Sequence, residues 1–212
     1  MVWLIILLIA VLWGWAIYNQ FHSVGKRTRE MQLVAGQLGL QYSDIDDEWT
    51  KFEWGDPVPT KGGAINILTG QHQGWSVIAL DRSWGAAYGR GRGSEAYSVS
   101  AVALSREFPR LYVHQRSLVS RARGVKEGNR IELESAQFNT HYVVHCKDPQ
   151  FASAVLTPRT MQWLLEHNVP WFNIVDRLVA TGRKGMLAGD QIESDLAAVE
   201  TIAGQLPRFL FD

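Results

Sequence analysis

The chain of 212 residues has a single cysteine, Cys146, which excludes an intramolecular disulfide framework and every CxxC metal or redox motif. It also lacks an excess of charge of either sign, since 21 Lys and Arg residues balance 21 Asp and Glu residues. The protein as a whole therefore has no net charge that would attract nucleic acid or an acidic substrate. A charged partner would have to bind at a local cluster of charged residues. The single cysteine suits a reducing compartment. At this length the chain favours one core and one soluble domain.

Familiar catalytic and cofactor motifs are absent as well. The sequence has no G-x-S-x-G elbow and no HExxH pair. The GRGRG run at residues 89–93 precedes a strand-like segment, not the helix that a phosphate loop requires, so it indicates a hairpin loop. The acidic run near Asp46 has Trp49 where an EF-hand needs glycine. The sequence therefore predicts no catalytic residue, no metal site and no cofactor, and it leans away from an enzyme.

Histidine and cysteine cluster in one segment, QFNTHYVVHC at residues 137–146. Its composition is strand-like, and alternate residues of a strand share a face. One face then holds Phe138, Tyr142, Val144 and Cys146, and the other holds Asn139, His141, Val143 and His145. Cys146 is predicted to be buried, and His141 and His145 to lie about 13 Å apart, too far to share a zinc ion. In a helix the two histidines would be neighbours, so this exclusion depends on the strand prediction.

The amino-terminal segment has no charged side chain before Lys26. Val2 to about Phe21 supplies the roughly twenty apolar residues that a helix needs to cross a bilayer. Tryptophans near both ends suit an interfacial aromatic belt. A cleaved signal peptide would need a basic start and a small-residue cleavage site, and neither is present. We predict a transmembrane helix over residues 1–21.

Three basic residues, Lys26, Arg27 and Arg29, follow in a predicted juxtamembrane linker over residues 22–30. Short basic flanks stay on the cytoplasmic side. The amino terminus is therefore predicted outside, and the soluble domain over residues 31–212 inside, at the plasma membrane of a single-pass protein. The three residues are candidates for contact with the membrane surface.

The pattern of residues 31–212 predicts an α+β domain in which helices cover an antiparallel sheet. A short helix carries Met31, Val34, Ala35 and Leu38 on one face and ends near Gly39, and an irregular loop follows. Candidate strands are INILTG, WSVIALDR, AYSVSAVALS, RLYVHQR, RIELES and FNTHYVVHC. Asp148-Pro149 and Thr157-Pro158 predict two helix starts. A pair of short strands after Trp171 precedes a terminal helix with Asp190 and Glu193 in capping-box spacing.

A basic loop carries the one local charge excess of the domain, with Arg116, Arg121, Arg123, Lys126 and Arg130 against Glu127. These residues are candidates for an anionic ligand, since each can gain on the order of 1 kcal/mol beside anionic lipid. Solvated loop charges are the alternative interpretation. Nucleic acid is not expected, because no aromatic residues are interleaved with the charge.

A resemblance to a known family rests on Phe138-Asn139, Tyr142-Val143, Asp148, Phe151-Ala152, Leu156, Pro158 and Trp163-Leu164-Leu165. These residues resemble a pattern of uncharacterised bacterial, chiefly actinobacterial, membrane proteins, in which an FN-x-x-[FY]-x-V strand leads into a D-x-x-F-A…L-x-P…L helix. The segment from Trp171 to Phe209 is similar too. Thr140 and His141 stand where the pattern has a basic pair. The resemblance implies the architecture and an amino-terminal anchor, and it implies no activity.

Together these patterns predict a non-enzymatic binding or scaffolding module at the plasma membrane, with the lipid bilayer and an unknown protein or lipid as partners. Two alternatives stay open. One is a membrane-tethered enzyme with an unrecognised site that uses His114, His141 or His145, and the other is a binding domain that faces the envelope.

Overall fold

The computed structural model describes residue 13 and residues 25–84, 95–116 and 130–211. Except for Trp13, the predicted transmembrane segment lies outside the described residues, as do most of the basic loop and the GRGRG run. Among the described residues, no helix has the length and apolar character needed to cross a membrane. The anchor and its topology therefore stay predictions.

The described part of the chain contains helices and strands in mixed order. The helices are α1 (residues 25–38), α2 (Asp47–Lys51), α3 (Ala136–His141), α4 (Pro149–Val155), α5 (Pro158–Glu166) and α6 (Gly189–Gly204), followed by a 3₁₀ turn at Arg208–Leu210. The strands are β1 (Gln41–Ile45), β2 (Gly63–His72), β3 (Trp75–Trp84), β4 (Glu95–Gln115), β5 (Arg130–Ile131), β6 (Tyr142–Cys146) and β7 (Trp171–Lys184). All their pairings are antiparallel. The α+β class and the antiparallel sheet are confirmed.

The seven-stranded sheet is organised around β4. The strand order is β1-β2-β3-β4-β6-β5, and β7 pairs with β4 as well. The first half of β4 pairs with β3 and its last residues pair with β6, while β7 pairs with both halves. The β4–β7 register shifts between Ala103 and Leu111, and the hydroxyl of Thr181 donates to the carbonyl of Trp171 at 2.7 Å. Because these two residues belong to the same strand, the β4–β7 ladder must bend back on itself.

Each face of the sheet packs against its own hydrophobic core. On one face, buried residues of α1, α4, α5 and α6 cover strand residues such as Val77 and Val102. On the other face, Trp54 and Val58 cover Ile78, and the rings of Trp49 and Phe52 pack against Trp54, that of Phe52 edge to face. The segment before β2 is therefore a lid on the second core, in addition to connecting β1 to β2.

The proline-marked helix starts are confirmed. The side chain of Asp148 accepts from the backbone N–H of Phe151 at 3.0 Å, and that of Thr157 accepts from Thr160 at 3.2 Å. The capping box at Asp190 is wrong, since α6 begins at Gly189 with Ala188 as its N-cap and no side-chain cap. Asp190 lies inside the first turn, where its charge still favours the helix amino terminus.

Several strand predictions need correction. Residues 138–141 of FNTHYVVHC are helical, because Ser135 caps α3 and accepts from the N–H of Phe138 at 3.2 Å. RIELES contributes two strand residues, and the predicted pair of strands after Trp171 is the single bent strand β7. Residues 43–45, the start of the segment predicted as an acidic connecting loop, belong instead to the edge strand β1, where exposure tolerates polar side chains. Cys146 is buried, as predicted.

Candidate functional site

Arg27, predicted to contact the membrane surface, is bound to the interior of the domain. Its Nη2 donates to Oδ2 of Asp81 at 2.8 Å and to the carbonyl of Leu187 at 2.8 Å. The same carboxylate accepts from Nδ2 of Asn66 at 2.8 Å and from the N–H of Leu187 at 2.5 Å. We call these four residues the Asp81 cluster. It joins α1, β2, β3 and the loop before α6.

The Asp81 cluster is buried, and this governs its electrostatics. The Asp81 side chain is fully buried, whereas 24% of the Arg27 side chain is exposed. Burial raises the pKa of Asp81, and the charge of Arg27 is the strongest influence opposing that rise. Removing the side chain of Arg27 or of Asp81 would therefore leave the other one, which is wholly or mostly buried, without its charged partner.

The other predicted basic candidates are placed as follows. Lys26 and Arg29 are exposed on α1, which includes residues 25–30 of the predicted linker. Nε of Arg116 donates to the carbonyl of Asn139 at 3.0 Å, and Arg130 pairs with Glu132 at 3.2 Å. Arg121, Arg123 and Lys126 lie outside the described residues. Within the described chain, Arg116 and Arg130 thus make separate local contacts.

A cleft of about 650 Å³ opens between the end of α5, the end of β7 and α6. Its lining residues are Trp163, His167, Asn168, Val169, Pro170, Thr181, Gly182, Arg183, Ser194, Asp195, Ala197, Ala198 and Thr201. The size is typical of ligand sites, and the lining combines apolar side chains with polar ones such as His167, Arg183 and Asp195. The cleft is therefore a candidate binding site of the described chain.

The polar groups of the cleft are organised around an ion pair. Arg183 pairs with the buried carboxylate of Asp195. Burial raises the pKa of Asp195, and the hydrogen bond and charge of Arg183 oppose that rise. Across the cleft, the ring of His167 stacks on Trp163 with centroids 4.4 Å apart, and its Nδ1 lies 2.9 Å from the Trp163 carbonyl. An aromatic platform thus faces a partly exposed guanidinium.

Sequence reasoning did not find this cleft. Its walls come from three segments that are distant in the chain, and nothing local joins Trp163 to Arg183. One signal was available, because Ser194, Ala197, Ala198 and Thr201 place small side chains along one face of α6. A stripe of that kind allows another element to approach, but it does not say which one.

Two histidines considered for an enzyme lie side by side in the sheet. The rings of His114 and His145 are stacked, with centroids 5.8 Å apart and planes at 11°. Burial lowers the pKa of both, and the nearby charge of Asp56 opposes this. Neutral, buried rings are suited to packing. His141 lies at the end of α3 with Nδ1 2.9 Å from the Gln137 carbonyl.

The sequence predicts no metal site in the histidine and cysteine segment at residues 137–146. Over the part of the chain that the structure describes, no group of three or more His, Cys, Asp or Glu side chains could hold a metal ion.

Comparisons with known proteins place this geometry in context. Residues 102–169, about a third of the chain, match a family described as "Protein of unknown function (DUF3137)". None of the curated proteins matches the chain. The fold is similar to that of the mycobacterial trehalose monomycolate transport factor A, TtfA, with a TM-score of 0.62 and 14% sequence identity. That match covers 85% of this chain and 96% of the other. At this identity the likeness shows a shared fold.

Proposed function

We propose that this protein is a membrane-anchored, non-enzymatic binding module at the cytoplasmic face of the plasma membrane, and that it serves the transport of an envelope component. The observation that carries the proposal is the cleft between α5, β7 and α6. The proposed occupant is a membrane lipid or a segment of a membrane protein. The fold supports the assignment, because a protein of similar fold is named as a trehalose monomycolate transport factor.

The chemistry of the cleft favours binding over catalysis. Its two opposite charges, Arg183 and Asp195, neutralise each other. A buried carboxylate paired in this way is a poor proton acceptor, since taking up a proton would break the pair. The apolar wall and the stacked Trp163–His167 pair instead offer surface to an amphipathic ligand, with the remaining Arg183 donors at its polar end.

Filling the cleft tests the binding role. Ala197 is exposed on α6 and lines the cleft, so Ala197→Trp should block it without disturbing the core. We expect affinity purification of the full chain from a detergent extract, followed by lipid and protein mass spectrometry, to recover a membrane component. Recovery should fall several-fold for Ala197→Trp.

Glu193→Trp is the matched control, since it adds the same side chain to an exposed position of α6 outside the cleft. It should leave recovery unchanged. If the wild-type chain recovers no lipid or protein, or if the two variants behave alike, the cleft is not the binding site.

Topology is tested with a carboxy-terminal tag on spheroplasts. The basic flank at Lys26, Arg27 and Arg29 predicts that protease removes the tag only after detergent is added. Digestion in intact spheroplasts would place the domain on the envelope side, as in the alternative interpretation of the sequence.

A further inference from the structure

Five strand ends lie together at one end of the sheet. β1 ends at Ile45, β2 begins at Gly63, β3 ends at Trp84, β4 begins at Glu95 and β7 ends at Lys184. The registers Ile45↔Ile65, Gly63↔Ser83, Trp84↔Glu95 and Tyr97↔Lys184 place these ends within three residues of one another along β3. We call this the proximal end of the sheet. The turn between β2 and β3, near Gln71, lies at the opposite, distal end.

Helix α1 enters the domain at the proximal end. Arg27 is bound to Asp81, three residues before the end of β3. The helix ends at residue 38, eleven residues after Arg27, and β1 begins at Gln41 opposite Thr69, near the distal turn. A helix advances about 1.5 Å per residue, so α1 covers about 16 Å from Arg27 toward the distal end. The Asp81 cluster thereby fixes where the preceding chain must leave the domain.

The reach of that preceding chain is short. The predicted transmembrane segment ends near Phe21, six residues before Arg27, and six residues span at most about 20 Å in any conformation. The distal turn is farther away, since seven strand steps separate Asp81 from Gly74 and cover about 23 Å. If the anchor is in the bilayer, the Asp81 cluster holds the proximal end near it.

The side chains at the proximal end suit the interface of a bilayer. Trp84 is 45% exposed and Ile45 is 58% exposed, although both are large and apolar. Tryptophan is enriched at membrane interfaces. The charged side chains at the proximal end neither favour nor oppose contact with a bilayer, because the exposed Lys61 and Lys184 lie at the same end as the acidic first turn of α2.

We infer that the proximal end of the sheet lies against the interfacial region of the bilayer, with Trp84 and Ile45 in contact with lipid and the β2–β3 turn directed away from it. This inference rests on the anchor of the proposed function. It also gives the cleft a position, because Arg183 precedes the proximal residue Lys184. The Arg183 side of the cleft then lies toward the membrane, whereas Thr201 on its other side is next to Glu200, which is bonded to His72 at the distal end.

Position-dependent quenching tests the inference on the full chain reconstituted in phosphatidylcholine vesicles. A fluorophore is attached at Lys61→Cys at the proximal end or at Gln71→Cys near the distal turn; both positions are exposed. The native Cys146 is buried and should label weakly, which the unsubstituted chain controls. Phosphatidylcholine with a nitroxide on its headgroup should quench the label at residue 61 several-fold more than the label at residue 71.

A second variant tests the lipid contact itself. Ile45→Ser combined with Trp84→Ser should reduce quenching at residue 61 while the chain still floats with the vesicles. Unchanged quenching in this variant would contradict the contact. Equal quenching at residues 61 and 71, in a chain that floats, would overturn the orientation and leave the anchor intact. A chain that does not float with vesicles would overturn the anchor and the inference with it.

Discussion

Arg27→Ala should lower the free energy of unfolding by about 3 kcal/mol at neutral pH, because it leaves the fully buried carboxylate of Asp81 without its charged partner. For a chain of this size, that loss lowers the melting temperature by roughly 6–12 °C. Thermal unfolding of the full chain in detergent measures the shift. Lys26→Ala is the matched control, since Lys26 is an exposed basic residue on the same turn, and it should change stability by less than about 0.5 kcal/mol.

The defect of Arg27→Ala should depend on pH in a definite direction. Burial already raises the pKa of Asp81 above its usual value of 3.8, and losing Arg27 raises it further. A carboxyl whose pKa is higher in the folded state stabilises the fold when protonated, and that contribution is lost as the pH rises through the folded pKa. Denaturant unfolding should therefore show the largest defect at neutral pH and a smaller one near pH 5.

Adding Asp81→Asn to Arg27→Ala provides the control for this pH effect. The double variant has no carboxyl at position 81 to titrate, so its stability relative to wild type should not improve in the same way on acidification. A defect that is the same at both pH values in Arg27→Ala would show that Asp81 is not the group responsible.

The Asp81 cluster also shows where sequence reasoning reaches its limit. Arg27 stands close behind an apolar run, and its local context favours a membrane contact. Its partner lies 54 residues away, in a strand where the preceding alternate residues Val77 and Ala79 are apolar. A charged residue such as Asp81 within WSVIALDR signals that a partner is required, but it does not identify one. Tertiary pairing, which the local pattern does not contain, decides the role of Arg27.

Features fixed by neighbouring residues were predictable. Asp148-Pro149 and Thr157-Pro158 determine helix starts within three residues, and both starts are confirmed. The strand at residues 142–146 also follows from its own alternation. The helix before it does not, because it depends on Ser135 as a cap and on the side chain of Asn139, which bonds both backbone groups of Leu133. A turn closed by side chains interrupts an alternation that otherwise looks continuous.

The cleft depends on the same kind of long-range information. It exists because β7 bends far enough for Thr181 to contact Trp171, which brings the two ends of one strand to the same region. The sequence shows two apolar runs around Asp176 and favours two short strands. Asp176 adopts a left-handed conformation with φ of 55°, a conformation that aspartate tolerates better than most residues. A single residue, Asp176, thus favours the bend of β7, whereas the cleft that results from the bend is lined by segments that are distant in the chain.

Gly182→Ala should be among the most destabilising single substitutions in the domain, with a loss of about 3 kcal/mol or more. Gly182 lies in the β4–β7 ladder opposite Val99 and lines the cleft. An added Cβ would overlap the carbonyl oxygen of Ser98 and would lie 3.0 Å from the indole of Trp171. A backbone atom cannot move aside as a flexible side chain can, so the ladder itself must shift. Denaturant unfolding of the full chain measures the loss.

Gly36→Ala makes the same chemical change where the structure has room for it. Gly36 lies in α1, and an added Cβ there would meet nothing within 4 Å. Alanine is the better helix former, so this variant should gain about 0.5–1 kcal/mol. Opposite signs for the two variants would show that the close approach of β7 to β4 at Gly182, and not the loss of a glycine as such, causes the destabilisation. Similar effects at both positions would contradict the packing described for Gly182.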